Sequence, residues 1–185
     1  MNPKTITRRG EDDSGVPPMT HPQHNIILIG MPGAGKSTVG VVLAKTLGMQ
    51  FIDCDILIQQ QSGRMLQEIL DEDGPDAFRQ IEEEVILSLS PRHSVIATGG
   101  SVIWSRAAME HLKSLGVVVY LEISCSEMEK RIKNITTRGI VLLPDQTLRE
   151  MYESRVPLYE QYADITIASS EKDVESVVRE LHAIS

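Results

Sequence analysis

The stretch GMPGAGKST, residues 30–38, combines the residue types that proteins use to hold phosphate. The pattern G-x-x-x-x-G-K-[ST] is filled by Gly30, Gly35, Lys36 and Ser37, between the apolar run NIILI and an amphipathic run. Glycines let backbone N–H groups turn inward, the next helix offers unpaired N–H groups, and the lysine adds positive charge toward the β and γ phosphates. Ser37 supplies an oxygen that suits Mg2+. A glycine-rich turn without a ligand is the alternative, but both flanks favour nucleotide binding.

Polar and glycine residues follow two other apolar runs, where a sheet would expose them at its carboxyl edge. FIDCD carries Asp53 and Asp55, which point to the same face if the chain is extended there. One carboxylate can hold a water of the Mg2+ shell, and the other can orient or deprotonate a substrate hydroxyl. Asp55 as a plain helix N-cap is the alternative. TGG at 98–100 either lets a ligand hydroxyl reach a backbone N–H or forms a simple turn.

Three arginines are candidates for binding anions. Arg79 and Glu82 lie three residues apart in FRQIEE, so a helix makes them neighbours that can pair and aim the guanidinium at a planar anion. A solvated surface ion pair is the alternative, and it is favoured when this pair is taken alone. Arg155 lies near the end of a helical pattern, and Arg138 lies in 134–146, which looks like a mobile loop. A loop arginine near a γ-phosphate stabilises transition-state charge.

The elements that must position these residues follow an alternating pattern. Short apolar runs alternate with segments of helical period from residue 25 onward, which predicts an α/β fold with a five-stranded, mainly parallel sheet. The helical stripes in 76–89 and 105–115 are predicted to be core contacts. The predicted strands are NIILI (25–29), QFIDC (50–54), SVIAT (94–98), VVVYLEI (117–123) and DITIA (164–168).

Composition excludes several classes of function. The 185 residues carry a formal net charge of −8, which argues against broad binding to nucleic acid or anionic membranes. The two cysteines match no metal-ligand spacing, and we expect both as thiols in a reducing compartment. No apolar run is long enough to span a membrane, so we expect a cytoplasmic protein. Residues 1–24 hold few large apolar side chains and are predicted to be a flexible tail, ahead of one domain at 25–185.

Together these motifs resemble the shikimate kinase family, and the resemblance covers about residues 25–185. The combination is specific, whereas the phosphate loop alone is not. The matching segments, in the family's order and approximate spacing, are GMPGAGKST, FIDCD, DGPDAFRQIEE, ATGGS, NITTRG and SRVPLYEQYAD.

The resemblance implies a monomeric P-loop kinase in the pathway to aromatic amino acids, which transfers the γ-phosphate of ATP to the 3-hydroxyl of shikimate. It implies a three-layer, nucleoside-monophosphate-kinase-like fold with substrate-binding helices and a mobile lid at about 134–146. Lys36, Asp55 and Arg138 are the implied catalytic residues, and Ser37 and Asp53 the implied Mg2+ residues. Shikimate is expected at Asp55, Arg79, Gly100 and Arg155. ATP is expected at Gly33, Ala34, Gly35, Lys36, Ser37, Thr38, Arg131 and Arg138.

Two positions depart from the family pattern. The family usually has a third glycine where this chain has Ser101, and a proline after the lid arginine where this chain has Gly139. Both changes touch substrate fit, so a kinase of another small hydroxy acid such as gluconate is an alternative. A catalytically silent ATP-binding module is a further alternative from another class of protein.

Overall fold

The computed structural model describes residues 25–133, 140–141 and 145–184. Within them the strands are β1 (Asn25–Ile29), β2 (Gln50–Asp53), β3 (Ser94–Ala97), β4 (Gly116–Glu122) and β5 (Ile165–Ala168). The helices are α1 (Lys36–Leu47), α2 (Cys54–Ser62), α3 (Leu66–Leu87), α4 (Arg106–Leu115), α5 (Cys125–Lys133), α6 (Leu148–Tyr162) and α7 (Val174–Ile184). A short 3-10 helix, Val102–Trp104, precedes α4.

All five strands pair in parallel, in the order β2-β3-β1-β4-β5. The sheet is buried on both faces at its centre, because every residue of β1 is buried. This is why its sequence from Ile26 to Ile29 is a continuous apolar run rather than an alternating one. The predicted parallel five-stranded sheet is confirmed, with strand bounds that differ from the prediction by one residue or less.

Helices begin and end where the local chemistry requires. Gly35 precedes α1 with φ 94°, and Gly48 follows it with φ 68°, both in the left-handed region that glycine adopts readily. The long helix α3 is interrupted at Gly74, whose φ of 83° is not helical, and Pro75 follows it. The acidic segment DEDGPD therefore forms a kink within α3.

Two apolar clusters stabilise these elements. The larger one joins the central strands to α1, α4, α6 and α7. A smaller one lies between α2 and α3 and includes Phe78, Val85 and Val141. None of the described helices is long and apolar enough to cross a membrane. The predicted tail at 1–24, and 134–139 and 142–144 of the predicted lid, lie outside the described residues.

Candidate active site

The phosphate loop leaves β1 and enters α1 over the carboxyl edge of the sheet. Gly30 has φ 147°, and a Cβ built on it would lie 2.6 Å from the carbonyl oxygen of Leu121 in β4. Gly33 has φ 80°, and its added Cβ would lie 3.3 Å from Cβ of Arg131. Both positions therefore need glycine for conformation and for space. The loop is closed by a hydrogen bond of 3.0 Å from Ala34 N to the carbonyl oxygen of Met31.

Lys36, the first residue of α1, turns its side chain back under this loop. Its ammonium donates to the carbonyl oxygens of Gly30 at 2.8 Å and Met31 at 3.0 Å, and the residue is only 9% exposed. A buried ammonium held by two carbonyls places a fixed positive charge beside the amide groups of the loop. This is the arrangement that an anionic phosphate chain requires.

A cleft of about 550 Å³ lies on one side of the phosphate loop. Arg131 of α5 closes part of it, because its guanidinium donates to the carbonyl oxygen of Gly33 at 3.0 Å and pairs with Glu127 one turn away. The cleft combines loop backbone, a planar cation and apolar side chains of α7. Its lining residues are Gly33, Ala34, Gly35, Thr38, Val39, Arg131, Ser169, Lys172, Asp173, Val174 and Val177.

A second cavity lies on the other side of the loop and shares Gly33 and Gly35 with the cleft. Its volume is about 40 Å³, close to that of one water molecule, so any larger molecule must displace part of the lining. Side chains predicted to hold phosphate and side chains predicted to hold the acceptor meet in its wall. The lining residues are Pro32, Gly33, Gly35, Lys36, Ser37, Asp55, Phe78, Thr98, Gly99, Gly100, Ser101 and Ile140.

The two aspartates of FIDCD have different positions. β2 ends at Asp53, whose Oδ1 accepts from the amides of Asp55 at 3.0 Å and Ile56 at 3.4 Å, so Asp53 is the N-cap of α2. The prediction that both side chains share one face of an extended strand is wrong. The strand ends at Asp53, and Asp55 already belongs to the helix that begins at Cys54. The suggestion that Asp55 is the cap is wrong for the same reason. Asp55 still lines the small cavity, from the first turn of α2.

Arg155 of α6 is buried at 3% exposure and joins three segments of the chain. Its guanidinium donates to the carbonyl oxygen of Gly100 at 3.1 Å and of Val141 at 2.5 Å. The hydroxyl of Tyr159 donates to the same Gly100 carbonyl at 2.6 Å. The glycine motif and the helix carrying Arg155 are therefore joined at the cavity wall.

The predicted pairing of Arg79 with Glu82 is not what the structure shows. Arg79 pairs instead with Asp76, which is 91% exposed at its side chain. Glu82 is buried, and its Oε2 accepts a hydrogen bond of 2.6 Å from the hydroxyl of Ser101. Arg79 lines a neighbouring cavity of about 250 Å³, which also has Ser101 in its wall. α3 thus directs Arg79 outward and Glu82 inward.

Burial raises the pKa of Glu82 to about 7, and the nearby Asp55 carboxylate adds to the rise. The Ser101 hydrogen bond and the positive charges of Arg155 and Lys36 act in the opposite direction. Among the described residues, Oε1 of Glu82 has no hydrogen-bond partner. A carboxyl group that changes charge near neutral pH therefore lies behind the glycine motif.

Known proteins are similar to this chain over most of its length. A family model described as shikimate kinase matches residues 32–184. A shikimate kinase of Paracidovorax citrulli is 40% identical over 169 residues, which cover 88% of this chain and 92% of that relative. The chain belongs to the shikimate kinase family.

Solved structures extend the family comparison to the fold. The structure titled as shikimate kinase from Acinetobacter baumannii in complex with shikimate has a TM-score of 0.80 and 34% identity, and the match covers 89% of this chain and 92% of that chain. A gluconokinase from Sinorhizobium meliloti has a TM-score of 0.51 and 21% identity, with 86% and 90% covered. At that identity the second likeness shows a shared fold alone.

The structure brings together most of the predicted site residues that it describes. Lys36, Ser37, Asp55 and Gly100 line the small cavity, and Arg155 contacts Gly100 behind it. Asp53 lies at the cap of α2, and Arg79 lies in the neighbouring cavity. Arg138 lies outside the described residues.

Sequence reasoning missed the buried Glu82 carboxyl and the Tyr159 hydroxyl. Tyr159 stands in the quoted SRVPLYEQYAD segment, and its spacing of four from Arg155 places both on one helix face, so a signal was present. Glu82 gave no such signal, because a charged residue in a helix is usually exposed.

Proposed function

We propose that this protein is a shikimate kinase that transfers the γ-phosphate of ATP to the 3-hydroxyl of shikimate. The observation that carries the proposal is the shared wall of the two cavities. Gly33 and Gly35 line both, so one loop contacts a large cleft on one side and a small cavity with polar side chains in its wall on the other. Phosphoryl transfer requires donor and acceptor to meet in line at such a boundary.

The large cleft supports a nucleotide as the donor. Its wall contains the start of α1, where helix amides favour an anion, together with Arg131 and apolar side chains of α7. Arg131 is held by Glu127 and the carbonyl oxygen of Gly33, which fixes the guanidinium plane against the cleft. We propose that this plane stacks on adenine.

The small cavity supports a hydroxylated acid as the acceptor. Asp55 lies in its wall and can accept a hydrogen bond from a neutral hydroxyl, which orients the attacking oxygen. Arg155 already holds two carbonyl oxygens from a buried position. A substrate carboxylate that replaced the carbonyl of Val141 would gain a stronger, charge-assisted contact. We propose that Arg79 turns from Asp76 toward the same carboxylate.

Oxygen donors at the sheet edge fit Mg2+, which prefers hard oxygen ligands and retained waters. Ser37 lies in the cavity wall, and the cap role of Asp53 uses Oδ1 and leaves its second oxygen for a water of the metal shell. When held by Ser37 and Asp53, Mg2+ would supply positive charge that offsets the charge of the phosphates. Lys36 would neutralise phosphate charge from beneath the loop. Arg138 is proposed as a further phosphate contact on the family resemblance.

A panel of acceptors tests this proposal. Purified protein with magnesium ATP is assayed for ADP release with shikimate, gluconate and a nucleoside monophosphate, with and without residues 1–24. We expect turnover with shikimate and little with the others. Preference for gluconate would replace the acceptor, and ATP binding without turnover of any acceptor would indicate a silent nucleotide-binding module.

A further inference from the structure

Ser101 is a buried serine whose hydroxyl donates a hydrogen bond to the Glu82 carboxyl. It is 4% exposed, lies at the end of the glycine motif, and donates to Oε2 of Glu82 in α3 at 2.6 Å. Its φ of −95° and ψ of −10° are ordinary for any residue, so the backbone does not require serine here. The side chain is therefore what this position contributes.

The other oxygen of the Glu82 carboxyl faces the acceptor site. A Cβ placed on Gly99 would lie 2.1 Å from Oε1 of Glu82 and 3.1 Å from Oδ1 of Asp55. The two carboxyl groups thus lie on the same side of Gly99, a residue of the small cavity wall. Gly99 lets them approach, because any side chain there would collide with Glu82.

Several charged and titratable groups face Glu82 from the elements packed around it. Asp55 makes its ionisation harder, and Ser101, Arg155 and Lys36 make it easier. Glu82 in turn raises the pKa of the buried Cys54 thiol, after burial itself and Asp55, and contributes to the raised pKa of Tyr159. The charge of Glu82 is therefore coupled to the residues that surround the acceptor.

We propose that Ser101 is a positioning residue for phosphoryl transfer: its hydroxyl holds the Glu82 carboxylate behind Gly99, where its negative charge repels the Asp55 carboxylate and keeps that carboxylate turned toward the substrate hydroxyl. Two carboxylates that approach the same position beside Gly99 repel each other, so a fixed Glu82 carboxylate limits where the Asp55 carboxylate can lie. This inference rests on the proposed function, and it gives Ser101 a role beyond filling space.

The test is the pH profile of kcat with shikimate for Ser101→Ala. The acid limb is the range in which kcat falls as the pH is lowered. Loss of the Ser101 hydrogen bond to the ionised Glu82 carboxyl should move this limb upward by about one pH unit. The shift lowers kcat near pH 7 about fivefold and leaves kcat near pH 9 equal to that of the wild type. The KM for ATP should stay within about twofold. Ser101→Thr, which keeps the hydroxyl, should keep the limb. Glu82→Gln should abolish the limb and lower kcat at every pH, and adding Ser101→Ala to it should change nothing more.

Ser105→Ala is the matched control. The Ser105 hydroxyl donates to Oε2 of Glu83, one residue along α3, and it also caps α4 through the amide of Ala108. This variant removes another serine-to-glutamate hydrogen bond from the same pair of elements. It should lower the melting temperature and leave the acid limb where it was.

The outcomes separate the two proposals. The positioning role is overturned, and the proposed function is not, if Ser101→Ala is active with an unmoved acid limb. The same holds if the effects of Ser101→Ala and Glu82→Gln on kcat add in the double variant. A wild type that turns over no acceptor overturns the proposed function. The Glu82 titration can also be followed by carbon NMR of its carboxyl in the free enzyme, where Ser101→Ala must shift it upward if the hydrogen bond acts as proposed.

Discussion

Replacing Arg155 by alanine tests the acceptor end of the site. The guanidinium is 3% exposed, and it donates to the carbonyl oxygens of Gly100 and Val141. A charge-assisted hydrogen bond contributes about 1.5 to 3 kcal/mol. Loss of a bidentate contact to a substrate carboxylate should therefore weaken transition-state binding by about 3 kcal/mol. That corresponds to a fall of about 100-fold in kcat/KM for shikimate, because each 1.4 kcal/mol is about tenfold.

The assay measures ADP release, first at saturating ATP with the shikimate concentration varied, and then at saturating shikimate with the ATP concentration varied. We expect the KM for ATP to change by no more than about twofold, since Arg155 is not among the residues that line the nucleotide cleft. The substitution also leaves two carbonyl oxygens without this donor, so the melting temperature must be measured to confirm that the variant is folded.

Tyr159→Phe is the matched control for Arg155→Ala. It removes the other donor to the carbonyl of Gly100, at 2.6 Å, and changes no charge. We expect a loss of stability of about 1 kcal/mol and a change of a few-fold at most in kcat/KM. The carboxylate role of Arg155 would be refuted if Arg155→Ala lowered kcat/KM equally for shikimate and ATP. It would also be refuted if Arg155→Ala and Tyr159→Phe lowered kcat/KM for shikimate by similar factors.

Three further predictions concern the loop and the buried carboxyl. Lys36→Ala should abolish turnover and leave the circular dichroism spectrum native, since it removes the charge beneath the loop; near-normal turnover would contradict its role. Gly30→Ala should destabilise the protein by about 2 kcal/mol or more in urea unfolding, because its Cβ would lie 2.6 Å from the carbonyl oxygen of Leu121. Glu82 has its folded pKa raised to about 7 by burial, so the folded state binds more protons between about pH 4.5 and 7 and stability should fall across that window as pH rises, by roughly 3 kcal/mol. Glu82→Gln should flatten this dependence, and an unchanged slope in urea titrations would count against the buried carboxyl.

Local pattern was enough for the elements and for the phosphate end of the site. The apolar runs predicted five parallel strands, and the central strand β1, which is covered on both faces, is apolar from Ile26 to Ile29 as such a strand must be. The phosphate loop was predictable because its chemistry resides in neighbouring residues: glycines at 30 and 35, then Lys36 and Ser37 at the start of a helix. Residue type and spacing also made Asp55, Arg79 and Arg155 candidates, and the family resemblance assigned their roles and added Arg131.

The acceptor end depended on tertiary structure, because its residues come from distant parts of the chain. Spacing along α3 predicted that Arg79 and Glu82 pair with each other, yet Glu82 is buried against Ser101 of the glycine motif and Arg79 pairs with the exposed Asp76. The Ser101 hydroxyl meets Glu82 across 19 positions of sequence, so no local pattern could predict that bond or the raised pKa that burial imposes. Sequence alone determined which residue types can do the chemistry, and packing decided which of them are desolvated and face one another.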